Sequence, residues 1–194
     1  MVKLKNSIKH FKKICVHKYW VGYYCFKFGL YKQGILHDLS KFSPTEFLES
    51  VNYYVGTYSP IDACKKDKGY SMAWFHHRGR NKHHWEYWVD DFEKGTIPKK
   101  MPYKYMLEMF CDWLGAGKAY NQGKDTDFVK SEYEWWLNKR KVAIIHTDIF
   151  NCLDYLFDLF KRYNGNIDKI TKYDMIVLNR IYEGEIIYEI KTNY

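Results

Sequence analysis

The chain has 194 residues, 46% hydrophobic and 20% aromatic, with a formal net charge of +8 and a pI near 9.0. That is enough length and apolar area for one ordinary domain with a packed core, and it excludes a disordered chain, which would lack the aromatics. The positive balance favours an anionic partner, but Lys and Arg are spread along the chain, and the densest run, residues 3–13, reads as a solvated helix face rather than a nucleic-acid arm.

From the N-terminus, Leu4, Ile8, Phe11 and Ile14 recur at three-and-four spacing and lead into an aromatic run. The spacing predicts a helix over about residues 4–28, ended by Gly29. A short helix over residues 35–41 follows. Ser43-Pro44-Thr45-Glu46 is a helix start, with Ser43 as N-cap, Pro44 at the first position and Glu46 closing a capping box. That helix runs to about residue 55. One helix is expected over residues 61–77, broken at Gly79, and a further helical turn over 81–88 with Asn81 as its cap. Pro102 opens a helix that fades at Gly115 and Gly117. Residues 128–137 and 149–163 read as two more, the second capped by Thr147 or Asp148.

The tail is less regular. Residues 176–178 and 185–190 flank a turn at Glu183-Gly184, which fits a small C-terminal hairpin, with a helix and one strand as the rival. The expected fold is all-α, with a helical domain over 1–165 and an appendage over 166–194. Five Cys without CxxC or finger spacing read as reduced core thiols. Lysines interrupt every apolar stretch before it reaches bilayer length, and no apolar signal core follows the start. Both point to a soluble cytosolic protein that does not engage a membrane.

The chemistry-bearing residues cluster. Seven of the eight His precede residue 85, and four of them crowd into HHRGRNKHHWEYW as His76-His77 and His83-His84. His17, the pair His37-Asp38, and Asp112 complete the candidates. Imidazole with carboxylate suits Mn, Fe, Co, Ni or Zn, and such an ion makes a nucleophile of water near neutral pH. Adjacent residues on a helix face different ways, so one of each His pair is expected to be structural; His77 is favoured over His76, and both His83 and His84 stay open. Glu108 and Asp112, four apart, share a helix face. Glu108 is read either as a support for a ligand or as a surface carboxylate. Glu86 either orients an imidazole or pairs with Lys82.

The order His17, His37-Asp38, histidine cluster, Asp112 in an all-α chain resembles the HD-domain superfamily of metal-dependent phosphohydrolases, over roughly residues 11–120. HDLSK is similar to the HDxGK of the HD-GYP branch, with Ser40 in place of its glycine. His77 and His83-His84-Trp85-Glu86 follow in the matching order, with the glutamate displaced by one residue, closer spacing between His77 and His83, and no GYP. HDLSKFSPTEF, NKHHWEYW and MLEMFCDW together also resemble a family of small bacterial and phage proteins without an established activity.

The HD resemblance implies an HD-type helical bundle holding one or two divalent ions. His17, His37, Asp38 and Asp112 would bind the first. His77, with His83 or His84, would bind a second, bridged by Asp38. Lys41 would meet a substrate phosphate or position water, so Asp38, Lys41 and Asp112 are the catalytic candidates. The implied activity is hydrolysis of a phosphate ester in a small anionic substrate of nucleotide type. A diiron O₂-dependent oxygenase and a non-catalytic nucleotide- or protein-binding module are the alternatives on the same scaffold.

Overall fold

A computed structural model describes residues 2–92, 95–121 and 127–190. Among them the chain is all-α with one small antiparallel hairpin. Nine α-helices run in order: α1 Val2–Lys27, α2 Tyr31–Leu36, α3 Pro44–Asn52, α4 Pro60–Lys68, α5 Met72–Arg80, α6 Tyr103–Asn121, α7 Phe128–Lys139, α8 Thr147–Arg162 and α9 Lys172–Tyr182. Short 3₁₀ turns at Leu39–Phe42, Trp85–Trp88 and Ile167–Lys169 join them. No helix among the described residues is long and apolar enough to cross a membrane.

Helix α6 is the central element. Met106 through Asp112 are all buried, the mark of a helix covered on every side. One face carries Phe110 against Phe157 of α8 (ring centroids 5.1 Å apart), and another carries Glu108 and Asp112. Helix α1 lies along α6 and turns to it the stripe His10, Ile14, His17, Val21 and Tyr24, which follows the three-and-four period. The two helices approach closely at Gly115, where a Cβ would stand 2.9 Å from the backbone N of Val21. This contact brings His17, one turn before Val21, level with Asp112, one turn before Gly115.

The apolar core lies on the far side of α6. Trp136 of α7 stacks on Phe157 at 5.2 Å and 5°, and its Nε1 donates to Asp154 Oδ1 at 2.9 Å. Asp154 is fully buried and also accepts from Arg140 Nε and a terminal guanidinium nitrogen at 3.2 and 2.7 Å, so its charge is paired where burial would otherwise be costly. Leu178 and Ile181 of α9, and Ile190 beyond it, enter the same core.

Several expected elements are redrawn. The hairpin lies mid-chain, β1 Val89–Phe92 pairing with β2 Gly95–Pro98, and not at the C-terminus. The tail folds instead as α9, started by a capping box between Thr171 and Asp174 that satisfies two end amides reciprocally; no strand follows it through residue 190. The helix expected over 61–77 is two helices parted at Gly69 (φ 80°), while Gly79 sits inside α5. Gly115 and Gly117 do not end α6. Helix α8 is capped by His146, whose Nδ1 accepts from the Asp148 amide at 3.2 Å. Four of the cysteines are buried, and Cys15 is exposed.

One buried carboxyl gives the fold a pH dependence of its own. Glu132 of α7 is 6% exposed and lies against Gly117, where a Cβ would fall 2.1 Å from its Oε1. Burial pushes its pKa up to about 7, against the opposing charge of Lys118. The folded chain therefore holds this proton to higher pH than the unfolded chain does. The contribution of Glu132 to stability is complete below about pH 4.5 and is lost as pH rises towards 7, by up to about 3 kcal/mol. In urea titrations at pH 5 and pH 8, Glu132→Gln is expected to remove that part of the loss. An identical drop in both proteins would show that Glu132 ionises normally.

Candidate metal centre

His37 and Asp38 do not lie on one helix as expected. Helix α2 stops at Leu36, and Asp38 adopts a left-handed backbone, φ 53° and ψ 29°, before the 3₁₀ turn begins. Asp is one of the few residues that take this conformation readily. In a helix their side chains would point about 100° apart. The reversal brings both to one spot: His37 Nε2 is 3.3 Å from Asp38 Oδ2. The turn is held by Lys41 N donating to the Asp38 carbonyl at 3.0 Å and by the Lys18 ammonium donating to the His37 carbonyl.

The remaining ligand candidates arrive from three directions. Helix α1 supplies His17, with Nε2 3.4 Å from Asp38 Oδ2 and 3.1 Å from Asp112 Oδ1. Helix α6 supplies Asp112, whose Oδ1 is also 3.2 Å from His37 Nε2. Helix α5 supplies His77, with Nε2 3.4 Å from Asp38 Oδ1. The turn after α5 supplies His83, with Nε2 3.4 Å from the same oxygen, and His84, whose ring lies 4.3 Å from that of His83 and 4.8 Å from that of His77. Among the described residues His37, His83 and Glu108 form one group with ligand atoms within 4.8 Å of one another, and two larger sets do so as well: His17, His37, Asp38 and Asp112, and Asp38, His77, His83 and His84. Asp38 belongs to both, one oxygen facing each.

Among these atoms His37 Nε2 and Asp112 Oδ1 are hydrogen-bonded at 3.2 Å; most of the others are close without an aligned bond. His17 Nε2, His83 Nε2, His84 Nε2 and Asp38 Oδ1 are buried and have no aligned hydrogen-bond partner among the described residues, and Asp38 Oδ2 meets only the Lys41 ammonium besides the imidazoles. Buried polar atoms without partners are rare in native proteins. A group of them aimed into one space is what the ligands of divalent cations look like without their ions, and the His/Asp composition fits that reading.

Carboxylates behind the imidazoles fix their orientation. Glu108 Oε1 lies 3.0 Å from His37 Nδ1 and 3.2 Å from His83 Nδ1, and Glu46 Oε2 lies 2.7 Å from His77 Nδ1. Each holds the proton on Nδ1 and leaves the Nε2 lone pair facing the centre. Ser43 caps α3 by accepting from the Glu46 amide at 3.4 Å, but the Glu46 carboxylate does not close the capping box. It is shared between His77 and His76, whose Nδ1 lies 2.6 Å from Oε1. His76 points away from the centre to Glu46 and Arg80. Asn81 is the C-cap of α5 rather than the start of a new helix, and its amide donates to Ser40 Oγ and to the His77 carbonyl, both at 2.8 Å. Glu86 plays neither expected part: its Oε2 is buried without a partner, and burial raises its pKa.

The electrostatics follow from this packing. Burial alone would raise Asp38 and Asp112, but His37, Lys41 and His77 hold Asp38, and His17 and His37 hold Asp112, well below the usual carboxylate range. Burial lowers His84 far below an ordinary imidazole, with His83 and His77 adding to the effect, so it stays neutral with its lone pair available. Lys41 Nζ ion-pairs with Asp38 Oδ2 at 2.5 Å. That contact and Asp112 raise its pKa against the pull of burial, and it remains charged.

Two cavities open onto the centre, and each touches residues of both ligand sets. One of about 180 Å³ is lined by His17, His77, His84, Asp112 and Lys41. The other, about 300 Å³, reaches His37 and His83 and is rimmed by Lys32, Arg80, Lys82 and Lys104.

A family model described as a family of unknown function (DUF5662) matches residues 6–159. The chain belongs to the DUF5662 family. No curated protein and no solved structure matches it. The span shared with DUF5662 runs from α1 into α8 and contains every ligand candidate from His17 to Asp112, together with Lys41, Glu46 and Glu108.

Proposed function

We propose that this chain is a metal-dependent hydrolase of phosphate esters, with an HD-type dinuclear centre and a small substrate of nucleotide type. The observation that carries the reading is Asp38, buried, with Oδ2 facing His17 and His37 and Oδ1 facing His77 and His83. A carboxylate so placed would be able to hold a cation on each side. His17, His37 and Asp112 would complete one position, and His77, His83 and His84 the other.

Divalent cations held there supply Lewis acidity and a water nucleophile near neutral pH. The protein's own groups do the rest. Glu46 and Glu108 keep the imidazoles in the liganding tautomer. Lys41, fixed to Asp38 and lining the smaller cavity, offsets charge on a phosphoryl oxygen. Asp112 turns Oδ1 to His17 and His37 and sets Oδ2 3.9 Å from His83 Nε2. The basic rim of the larger cavity supports an anionic substrate.

The test is elemental analysis of tag-free protein, followed by assay with Mn, Fe, Co, Ni and Zn against a panel of phosphate esters. Two equivalents of metal and release of inorganic phosphate are expected. O₂ uptake by the iron-loaded protein without phosphate release would replace hydrolysis with oxidation. No retained metal under any loading would remove the reading altogether.

A further inference from the structure

Besides the ligand candidates, the smaller cavity is lined by His10, Ile14, Ser50 and Tyr120, and by Trp74, whose ring lies 5.0 Å from that of His84. His10 lies seven residues before His17 on the same buried stripe of α1, roughly 10 Å along the helix axis. Its ring is set beside those of Phe47 and Tyr54 at 5.3 and 5.4 Å. It is 6% exposed, and its Nδ1 has no hydrogen-bond partner among the described residues. An unpaired buried nitrogen costs about 1–3 kcal/mol, and nothing in the packing of α1 on α6 requires an imidazole there. Burial, aided by the charge of Lys41, pushes the pKa of His10 down to about 4, so the ring that meets the cavity is neutral.

We propose that this cavity is the specificity pocket for the organic part of a phosphate monoester, and that the His10 imidazole is the hydrogen-bond partner of an uncharged polar edge on that part. The inference rests on the metal-hydrolase reading above. The cations of the cavity, Lys41 and Lys13, have partners in Asp38 and in the Ala119 carbonyl, to which Lys13 Nζ donates at 2.7 Å. The Glu46 carboxylate of the same lining is held by His76 and His77, and the other groups are neutral: the Ser50 hydroxyl, the Tyr120 phenol, the apolar face of Trp74 and His10 itself. At about 180 Å³ the space falls below the roughly 300–1,000 Å³ of drug-sized ligand pockets. Its occupant is therefore compact, one or two rings long, with its phosphate at the metals and a neutral donor or acceptor at the other end.

Metal-loaded wild type, His10→Phe and His10→Gln would be titrated calorimetrically with inorganic phosphate, phenyl phosphate, ribose 5-phosphate and deoxyuridine 5′-monophosphate. At least one of the two polar-ended esters is expected to bind wild type more tightly than phenyl phosphate does. It should bind His10→Phe roughly tenfold or more weakly, with inorganic and phenyl phosphate unchanged and His10→Gln retaining most of the affinity. Melting curves for the three proteins check that the fold survives. The inference is overturned if all four probes weaken together, if none changes, or if neither polar ester outbinds phenyl phosphate in wild type. Absence of metal, or of inorganic phosphate binding to loaded wild type, would instead count against the hydrolase reading. Phosphate binding without a His10 effect overturns this inference alone.

Discussion

Asp38→Asn is expected to remove both metal positions at once. The amide is nearly the same size, and Asn is as tolerant of the left-handed backbone at this residue, so the chain should fold as before. What changes is the bridge. One oxygen becomes an NH₂ without a lone pair, the negative charge that faces four imidazoles and Lys41 disappears, and neither metal position keeps its shared anion. Activity should fall by more than the 10–100-fold typical of changes behind the first ring of ligands. Asp112→Asn touches only the set built on His17 and His37 and should leave metal at the other. The measurement is metal content per chain for the two variants, with melting curves as the folding control. Two equivalents retained in Asp38→Asn would mean that Asp38 is not a bridge.

The second large effect is expected at Glu108. Its Oε1 orients His37 in one ligand set and His83 in the other, whereas Glu46 orients a single ligand, His77. Glu108→Gln puts an amide where two imidazole N–H groups need an acceptor. It also weakens the preference for the Nδ1–H tautomer at both. A loss of about 10–100-fold in metal affinity is expected at both positions. Glu46→Gln should weaken only the position built on His77. Competition titrations with a chelator would resolve one weakened step for Glu46→Gln and two for Glu108→Gln. The same single-step loss in both would place Glu108 outside one of the sets.

Much of the helical architecture is legible in local sequence. The first helix, the Ser43-Pro44 start and the aromatic helix at 128–139 follow from periodicity and caps, which act within a few residues. Of the Leu4, Ile8, Phe11 and Ile14 that mark the first helix, however, only Ile14 is buried; Leu4, Ile8 and Phe11 are exposed. The ligand candidates are legible too, because His crowding and the Glu108–Asp112 spacing are visible without a fold. Other features depend on contacts far apart in the chain. The break at Asp38 is stabilised by a lysine on α1, and a local reading makes 35–41 one helix. Glu46 satisfies the capping-box pattern, yet two histidines thirty and thirty-one residues later take its carboxylate. His10 carries no motif at all, and its unpaired nitrogen exists only because α3 closes over it.

By itself, then, the sequence determined the helical class, most of the helix starts, and a supply of imidazole and carboxylate sufficient for a metal centre. Only the tertiary structure decided that His83 and His84 both turn inward, that Asp38 faces both sets, and that two glutamates stand behind the ligands. The physical reason is range. Periodicity and capping are interactions between neighbours along the chain. Convergence on Asp38 needs a left-handed residue, the close passage of α1 and α6 at Gly115 and the packing of α5 against α3, none of which is written in any single segment.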